Sequence, residues 1–440
     1  ADDMGLGKTL QALAVILARA SQGPTLVLAP TSVCFNWQDE ALKFAPTLKV
    51  RLFSTGSKKD RSKVLQDLGA FDVVVCSYGL LQTEGEQLSK VKWHTMIADE
   101  AQAIKNPAAK RTQMAMKLKA DFSMITTGTP IENNLTELWS LFRFINPGLL
   151  GSLEQFGHRF SGPIENDPGG EDSKAASNAL RKLISPFILR RLKSEVLTEL
   201  PSRTEINLHV EMSEEETVFY EALRQKAMEN IEASKEEKGG QKRIKILAEL
   251  MRLRRACCHP SLVVEGSPIE GSKLKVFDGL IDELKQGNHK ALVFSQFVGH
   301  LAILRDHLIA KGISFQYLDG STSTPNRKKA VNAFQAGEGD LFLISLKAGG
   351  AGLNLTAADY VIHMDPWWNP AVEDQASDRA HRMGQTRPVT IYRLITQNTI
   401  EDKIVALHQQ KRDLANSLLE GTDSAGSLNY DDMVNLLKNG

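Results

Sequence analysis

Cysteine is scarce in this chain: Cys34, Cys76, Cys257 and Cys258 are the only four in 440 residues, in neither a paired-knuckle nor a framework spacing. That excludes a disulfide-stapled scaffold and a zinc finger, and Cys257-Cys258-His259 reads as packing in a reducing compartment. Net charge is also lacking, since 53 basic side chains balance 53 acidic ones. Whole-molecule attraction to nucleic acid or anionic lipid is therefore excluded, and any such contact must come from local patches. No apolar run reaches bilayer-spanning length and the first residues carry no signal-peptide pattern, so no membrane partner and a cytoplasmic location are expected. No internal repeat of solenoid period is visible.

What is present is a rhythm. A chain of 440 residues, 42% hydrophobic and 24% charged, has room for two or three domains with their own cores. Short apolar runs alternate with amphipathic helical segments: Thr25 to Leu28, Val50 to Phe53, Val73 to Cys76, Met96 to Ala98 and Met124 to Thr126. The rhythm resumes at Ala291 to Phe294, Phe315 to Tyr317, Leu341 to Ile344, Tyr360 to His363 and Thr390 to Tyr392. Continuously apolar strands separated by helices predict two α/β lobes, each a parallel sheet covered on both faces. Between them, Ser152 to Lys275 is charged and helical in pattern, and only Thr204 to Val210 alternates like a strand. This stretch reads as helical insertions flanking an interlobe connection.

Three segments carry chemistry. Asp2-Asp3-Met4-Gly5-Leu6-Gly7-Lys8-Thr9 runs into a predicted helix, Leu10 to Ala20. Such a loop aims backbone N–H groups and a helix N-terminus at phosphate, with Lys8 reaching the β and γ phosphates and Thr9 binding Mg²⁺. Asp2 stands where the pattern usually has glycine. A loop of this kind normally follows a buried strand and none precedes it, so a fragment lacking that strand is expected. The second segment is the strand Met96-Ile97-Ala98, which ends in Asp99-Glu100-Ala101-Gln102. A carboxylate there holds Mg²⁺ and its neighbour accepts a proton from attacking water. The third is Gln375 to Gln385, where Gln375, Arg379 and Arg382 are spaced four and three apart, putting both arginines on one face of a predicted helix.

In this order Asp-Met-Gly-Leu-Gly-Lys-Thr, Leu28-Ala29-Pro30 with Asn36-Trp37, Asp-Glu-Ala-Gln and Thr127-Gly128-Thr129-Pro130 resemble the Swi/Snf-type branch of superfamily-two helicases. Leu292 to Phe297, Leu318 to Thr322, Ser345 to Leu355, Asp365-Pro366-Trp367-Trp368-Asn369-Pro370 and the arginine segment continue the resemblance, which covers essentially the whole chain. A bacterial or archaeal member is expected, because no chromatin-reading appendage is visible and the insertions are short. The resemblance implies an α/β fold of two RecA-like parallel-sheet lobes with helical insertions between and within them. The first lobe is placed at 1–200, with an insertion at about 147–200. The second is placed at 201–440, with an insertion at about 211–270 and a helical tail at about 421–440.

The roles it implies are specific. ATP and Mg²⁺ are the cofactors. Gly5, Gly7, Lys8, Thr9, Asp99, Gln375 and Gly352 would contact nucleotide, with Thr9 and Asp99 on the metal. Glu100 would activate water, and Arg379 and Arg382 would reach the γ phosphate as fingers from the other lobe. Thr31, Ser77, Tyr78, Ser295, Gln296, Gly320, Ser345, Lys347 and Trp367 would line a path for nucleic-acid phosphates. Double-stranded DNA and DNA-bound proteins are the implied partners of a monomeric motor, nucleoid-associated if prokaryotic. Two alternatives stand beside it: a strand-separating DNA or RNA helicase of the same fold, and a nucleotide-independent nucleic-acid-binding scaffold, motivated by the truncated loop. The sequence departs from relatives at Gln102, where many have histidine, and the upstream adenine-recognition element lies outside it.

Overall fold

The computed structural model describes residues 1–408 apart from 4, 32, 54–57, 129–133, 167–169, 192, 198, 234–238 and 349–352. The expected tail at about 421–440 lies outside these residues. Two compact units form, the first running from Ala1 and the second starting at Glu199. No described helix is long and apolar enough to cross a membrane.

The first unit holds strands β1 (Thr25–Ala29), β2 (Lys49–Leu52), β3 (Asp72–Ser77), β4 (Trp93–Asp99) and β5 (Ala120–Thr126), in the order β2-β3-β1-β4-β5. Every pairing is parallel. Its central strands are the most apolar: all residues of β1 and β3 are buried, as strands covered on both faces must be. The helix Lys8–Arg19 runs back against β4 and β5. Arg19 donates to Thr95 Oγ1 at 3.2 Å and lies 4.5 Å over the Phe122 ring near the strand starts, while Lys8 shares a cavity with Thr126 and Thr127 at the far ends. Past β5, the helix Leu135–Ile145 is capped by Asn134, whose side chain accepts from Glu137 N. Leu138, Trp139 and Phe142 from that helix pack with Phe156, Phe160, Leu180 and Ile184 into a satellite core.

The second unit is a six-stranded sheet of β6 (Arg203–Val210), β7 (Ala291–Ser295), β8 (Phe315–Leu318), β9 (Leu341–Ser345), β10 (Tyr360–His363) and β11 (Val389–Thr396), ordered β6-β11-β10-β7-β9-β8. All of its pairings are parallel too. The Thr204 to Val210 run, which alternates like a strand and precedes the insertion expected at about 211–270, is an edge strand of this sheet. It pairs with β11 residue for residue from Arg203 with Val389 to Val210 with Thr396. Its alternation reflects a strand at the margin, with only part of its surface covered. The helices Glu214–Ala233 and Gly239–Cys258 pair with each other, and Tyr220, Leu223, Leu250, Leu253 and Cys257 pack with Ile400 and Ile404.

One buried ion pair ties this unit together. Lys273 Nζ donates to both Glu401 oxygens, at 2.8 and 2.6 Å, and to the Met364 carbonyl at 2.7 Å, with both side chains almost wholly buried. Removing one partner leaves the other charged in an apolar interior. Lys273→Met is expected to lower the stability of this unit by about 3–5 kcal/mol, and Lys273→Met with Glu401→Leu to regain most of that loss. Urea unfolding of the three proteins checks it; a double variant as weak as the single one would contradict the account.

Candidate active site

The first residues of the chain form a loop that turns through two left-handed glycines, Gly5 (φ 86°) and Gly7 (φ 69°), into the helix at Lys8. Side chains avoid this backbone region, which explains glycine at both positions. Lys8 Nζ folds back over the loop and donates to the carbonyls of Asp2 (2.9 Å) and Asp3 (3.1 Å). The structure gives a reason for Asp2 in place of glycine. Its buried carboxylate accepts from the Arg191 backbone N–H at 3.0 Å, from the Arg191 guanidinium, and from Gln11 Nε2 at 3.1 Å. Asp3 likewise accepts from the Lys193 N–H at 3.0 Å, while its own N–H donates to the Arg191 carbonyl at 3.1 Å. The loop is held by a segment some 190 residues away in sequence. Burial pushes the Asp2 carboxyl up, but Arg191 and Gln11 outweigh it and hold Asp2 below its ordinary range.

At the same carboxyl edge of the sheet, β4 ends in Asp99. Its Oδ1 accepts from Thr126 Oγ1 (2.5 Å) and the Glu100 N–H (3.0 Å), and its Oδ2 from Trp37 Nε1 (2.9 Å). Tyr78 donates its hydroxyl to the Asp99 carbonyl at 2.7 Å. The carboxylate is thereby fixed in orientation. Glu100 takes a left-handed conformation, φ 48° and ψ 55°, rare for a non-glycine residue and a recurrent feature of working sites. Gln102 bridges: its Nε2 donates to Glu100 Oε2 at 2.9 Å and its Oε1 accepts from Thr127 Oγ1 at 3.1 Å. The amide thus joins the Asp-Glu-Ala-Gln segment to the strand end at Thr127. Thr129 to Pro130 lie outside the described residues.

In the second unit the helix of the arginine segment is Pro370–Ser377, so it stops before both arginines. The expected shared helical face is therefore corrected. Arg379 N bonds the Ala376 carbonyl and Ala380 N the Ser377 carbonyl, a tightening into i to i+3 turns that takes the arginines off the α-helical period. Gln375 and Arg379 are buried; Arg382 is half-buried and donates to the Leu353 carbonyl at 3.2 Å. Gly352 lies outside the described residues.

The candidate nucleic-acid residues divide by exposure. Thr31, Gly320 and Lys347 lie at the surface. Ser77 caps the helix Tyr78–Leu88 by accepting from Leu80 N, and Tyr78 is buried on Asp99. Ser295 donates to Asp365 Oδ1, and Ser345 accepts from Ala348 N. The side chains of these four are committed within the fold, which leaves the loop backbone as their available contact. Gln296 and Trp367 meet at Arg254, which donates to Gln296 Oε1 at 3.0 Å and sits 5.8 Å from the Trp367 ring and 4.9 Å from Trp368. In the sequence Arg191 and Arg254 belong to basic groups, Arg190-Arg191-Lys193 and Arg252-Arg254-Arg255, that suit a phosphate-lined cleft; their bonds to Asp2 and Gln296, distant along the chain, leave no local pattern.

The SNF2-related domain family matches residues 1–262, and the helicase conserved C-terminal domain matches residues 272–384. The chain belongs to the SNF2-related family. It is 39% identical over 449 residues to the putative ATP-dependent helicase/translocase YwqA of Bacillus subtilis, covering 99% of this chain and 48% of that protein. The human SWI/SNF-related matrix-associated actin-dependent regulator of chromatin subfamily A member 1 is 34% identical, over 100% of this chain and 44% of its own length. The chain spans less than half the length of the curated relatives it matches here. A solved SWI2/SNF2 ATPase core of Sulfolobus solfataricus, in complex with dsDNA, is 35% identical over 100% of this chain and 90% of that one, with a TM-score of 0.44.

Asp2 ionises below its ordinary value of 3.8 in the folded chain. Its pairing therefore stabilises the fold above that value and ceases to do so as pH falls through the lower folded value. Arg191→Met should be less stable than the parent at neutral pH, with the gap closing on acidification. Chemical denaturation across that range tests this; an unchanging gap would mean that Arg191 acts by packing alone.

Proposed function

We propose that the chain is the motor core of an ATP-driven translocase on double-stranded DNA. The observation that carries this reading is the shared sheet edge, where Lys8 opens its helix and Asp99-Glu100 tips β4, with Glu100 tied through Gln102 to Thr127. Family membership and the helicase/translocase name of the Bacillus subtilis relative support ATP-driven movement.

In this reading Gly5, Gly7 and Lys8 hold the nucleotide phosphates through backbone N–H groups and one ammonium. Thr9 and Asp99 supply the hard oxygen donors that suit Mg²⁺, and Asp99 Oδ2, which accepts from Trp37, keeps acceptor capacity. When bound, that ion neutralises phosphate charge. Glu100 accepts the proton of the attacking water, while Gln102 holds its carboxylate in place. Gln375 and Gly352 contact nucleotide, and Arg379 and Arg382 neutralise charge on the transferred phosphoryl group. Because fingers and loop belong to different units, turnover requires closure, and repeated closure with alternating phosphate grips moves the motor. Thr31, Gly320 and Lys347, with backbone amides near Ser77, Ser295 and Ser345, grip phosphates without reading sequence.

Phosphate release with and without duplex DNA tests the proposal. DNA should stimulate turnover, Glu100→Gln should lower kcat by about 10²–10⁴-fold, and Arg379→Ala by about 10³-fold or more while nucleotide still binds. Triplex displacement without unwinding of a forked duplex is the expected output. Absent DNA stimulation, or full turnover in Glu100→Gln, would sink the reading. Fork unwinding would favour the helicase, and nucleotide titration indifferent to Lys8→Ala the scaffold.

A further inference from the structure

We propose that Cys258, His300 and Asp365 form a site for one divalent transition-metal ion of the zinc type, separate from the nucleotide site. The three residues come from different elements of the second unit: the last turn of the helix Gly239–Cys258, the first turn of the helix Val298–Ala310, and the loop that follows β10. One ligand atom from each, a thiol sulfur, an imidazole nitrogen and a carboxylate oxygen, lies within 4.8 Å of the other two.

The observation that points to a ligand is His300. It is completely buried, and neither ring nitrogen has a hydrogen-bond partner among the described residues. A neutral imidazole carries one donor and one acceptor, and burying both unsatisfied is costly, so folded proteins give such groups a partner. Here the imidazole instead shares its pocket with two further ligand groups, Cys258 at 1% exposure and Asp365 at 4%. Coordination would satisfy one ring nitrogen outright.

The surroundings resemble the supporting shell of a metal site. Ser295 Oγ donates to Asp365 Oδ1 and the Gln296 N–H to Oδ2 at 3.2 Å, which orients the carboxylate as outer-shell donors do around ligating carboxylates. The neighbouring cations are occupied elsewhere. Lys273 is bonded to Glu401 and the Met364 carbonyl, and Arg254 to Gln296 Oε1 and the Pro366 carbonyl. A thiolate and a carboxylate together match the charge of a divalent ion, and the thiol proton leaves to solvent as the sulfur–metal bond forms. Sulfur with imidazole selects zinc-like ions over Mg²⁺ or Ca²⁺. Cys257, one residue away, turns into the apolar cluster with Tyr220 and Leu253 and belongs to packing. Of the Cys257-Cys258-His259 run expected to be packing, Cys258 is thus the member that faces a polar cluster. A bound ion would staple the end of the helical insertion to the Asp365-Pro366-Trp367-Trp368 loop.

The test measures metal in the 440-residue chain purified from zinc-supplemented medium without chelator. About one zinc per chain is expected, retained in Cys257→Ala and lost in Cys258→Ala and in His300→Phe. Cobalt exchange should give a thiolate-to-cobalt charge-transfer band in the near ultraviolet that vanishes in Cys258→Ala. Zinc added to metal-stripped parent protein should raise its Tm, a readout that needs no variant to fold. Parent protein that takes up no zinc and shows no Tm response overturns the site, as does zinc retained at full occupancy in folded Cys258→Ala or His300→Phe.

Discussion

A strand buried on both faces has no room along its length for an unpaired polar group, and that constraint places the chemistry of the first unit. β1 and β3 carry apolar side chains through the sheet, and β4 stays apolar through Met96-Ile97-Ala98 before reaching Asp99. Polar residues are displaced to the strand ends, where loops supply partners. Asp99 illustrates this: almost wholly buried, it survives because Thr126, Trp37 and the Glu100 N–H all donate to it. The helix Lys8–Arg19, laid back along β4 and β5, brings the phosphate-type loop to that same edge.

The second unit meets the same constraint with charge. Lys273 and Glu401 pair in its interior, and Arg393 is held between Glu373 and Glu205. Arg254 sits among Phe297, Trp367 and Trp368 and bonds the Pro366 carbonyl. These contacts join separate elements, so the helical insertion, the helix Pro370–Ser377 and the sheet are bound to one another by polar links as well as by packing.

Apolar periodicity was enough to read ten of the sheet strands from the sequence, because burial on both faces leaves a continuous signature. Thr204 to Val210 alternates instead, because at the edge of the sheet only part of its surface is covered. Helical spacing failed for Arg379 and Arg382. The helix Pro370–Ser377 tightens at its end, where Ser377 Oγ meets His363 Nε2 at 2.9 Å and its carbonyl accepts from Ala380 N, and residue spacing carries no trace of that. The phosphate-type loop and the Asp99-Glu100 pair were legible because their residues are contiguous. The bond from Arg191 to Asp2 and the bridge from Gln102 to Thr127 were not, since tertiary pairing of this kind leaves no local pattern.

Lys8 rests on the carbonyls of Asp2 and Asp3. The ammonium is therefore already solvated by its own loop, and any anion arriving there enters by exchange rather than by simple addition. The net gain is the difference between the new contacts and those that are released, each worth about 1.5–3 kcal/mol when a charged donor is involved. A resting loop of this kind is preorganised yet discriminating: a ligand with one weak oxygen has little advantage over the carbonyls, whereas one presenting several phosphate oxygens does.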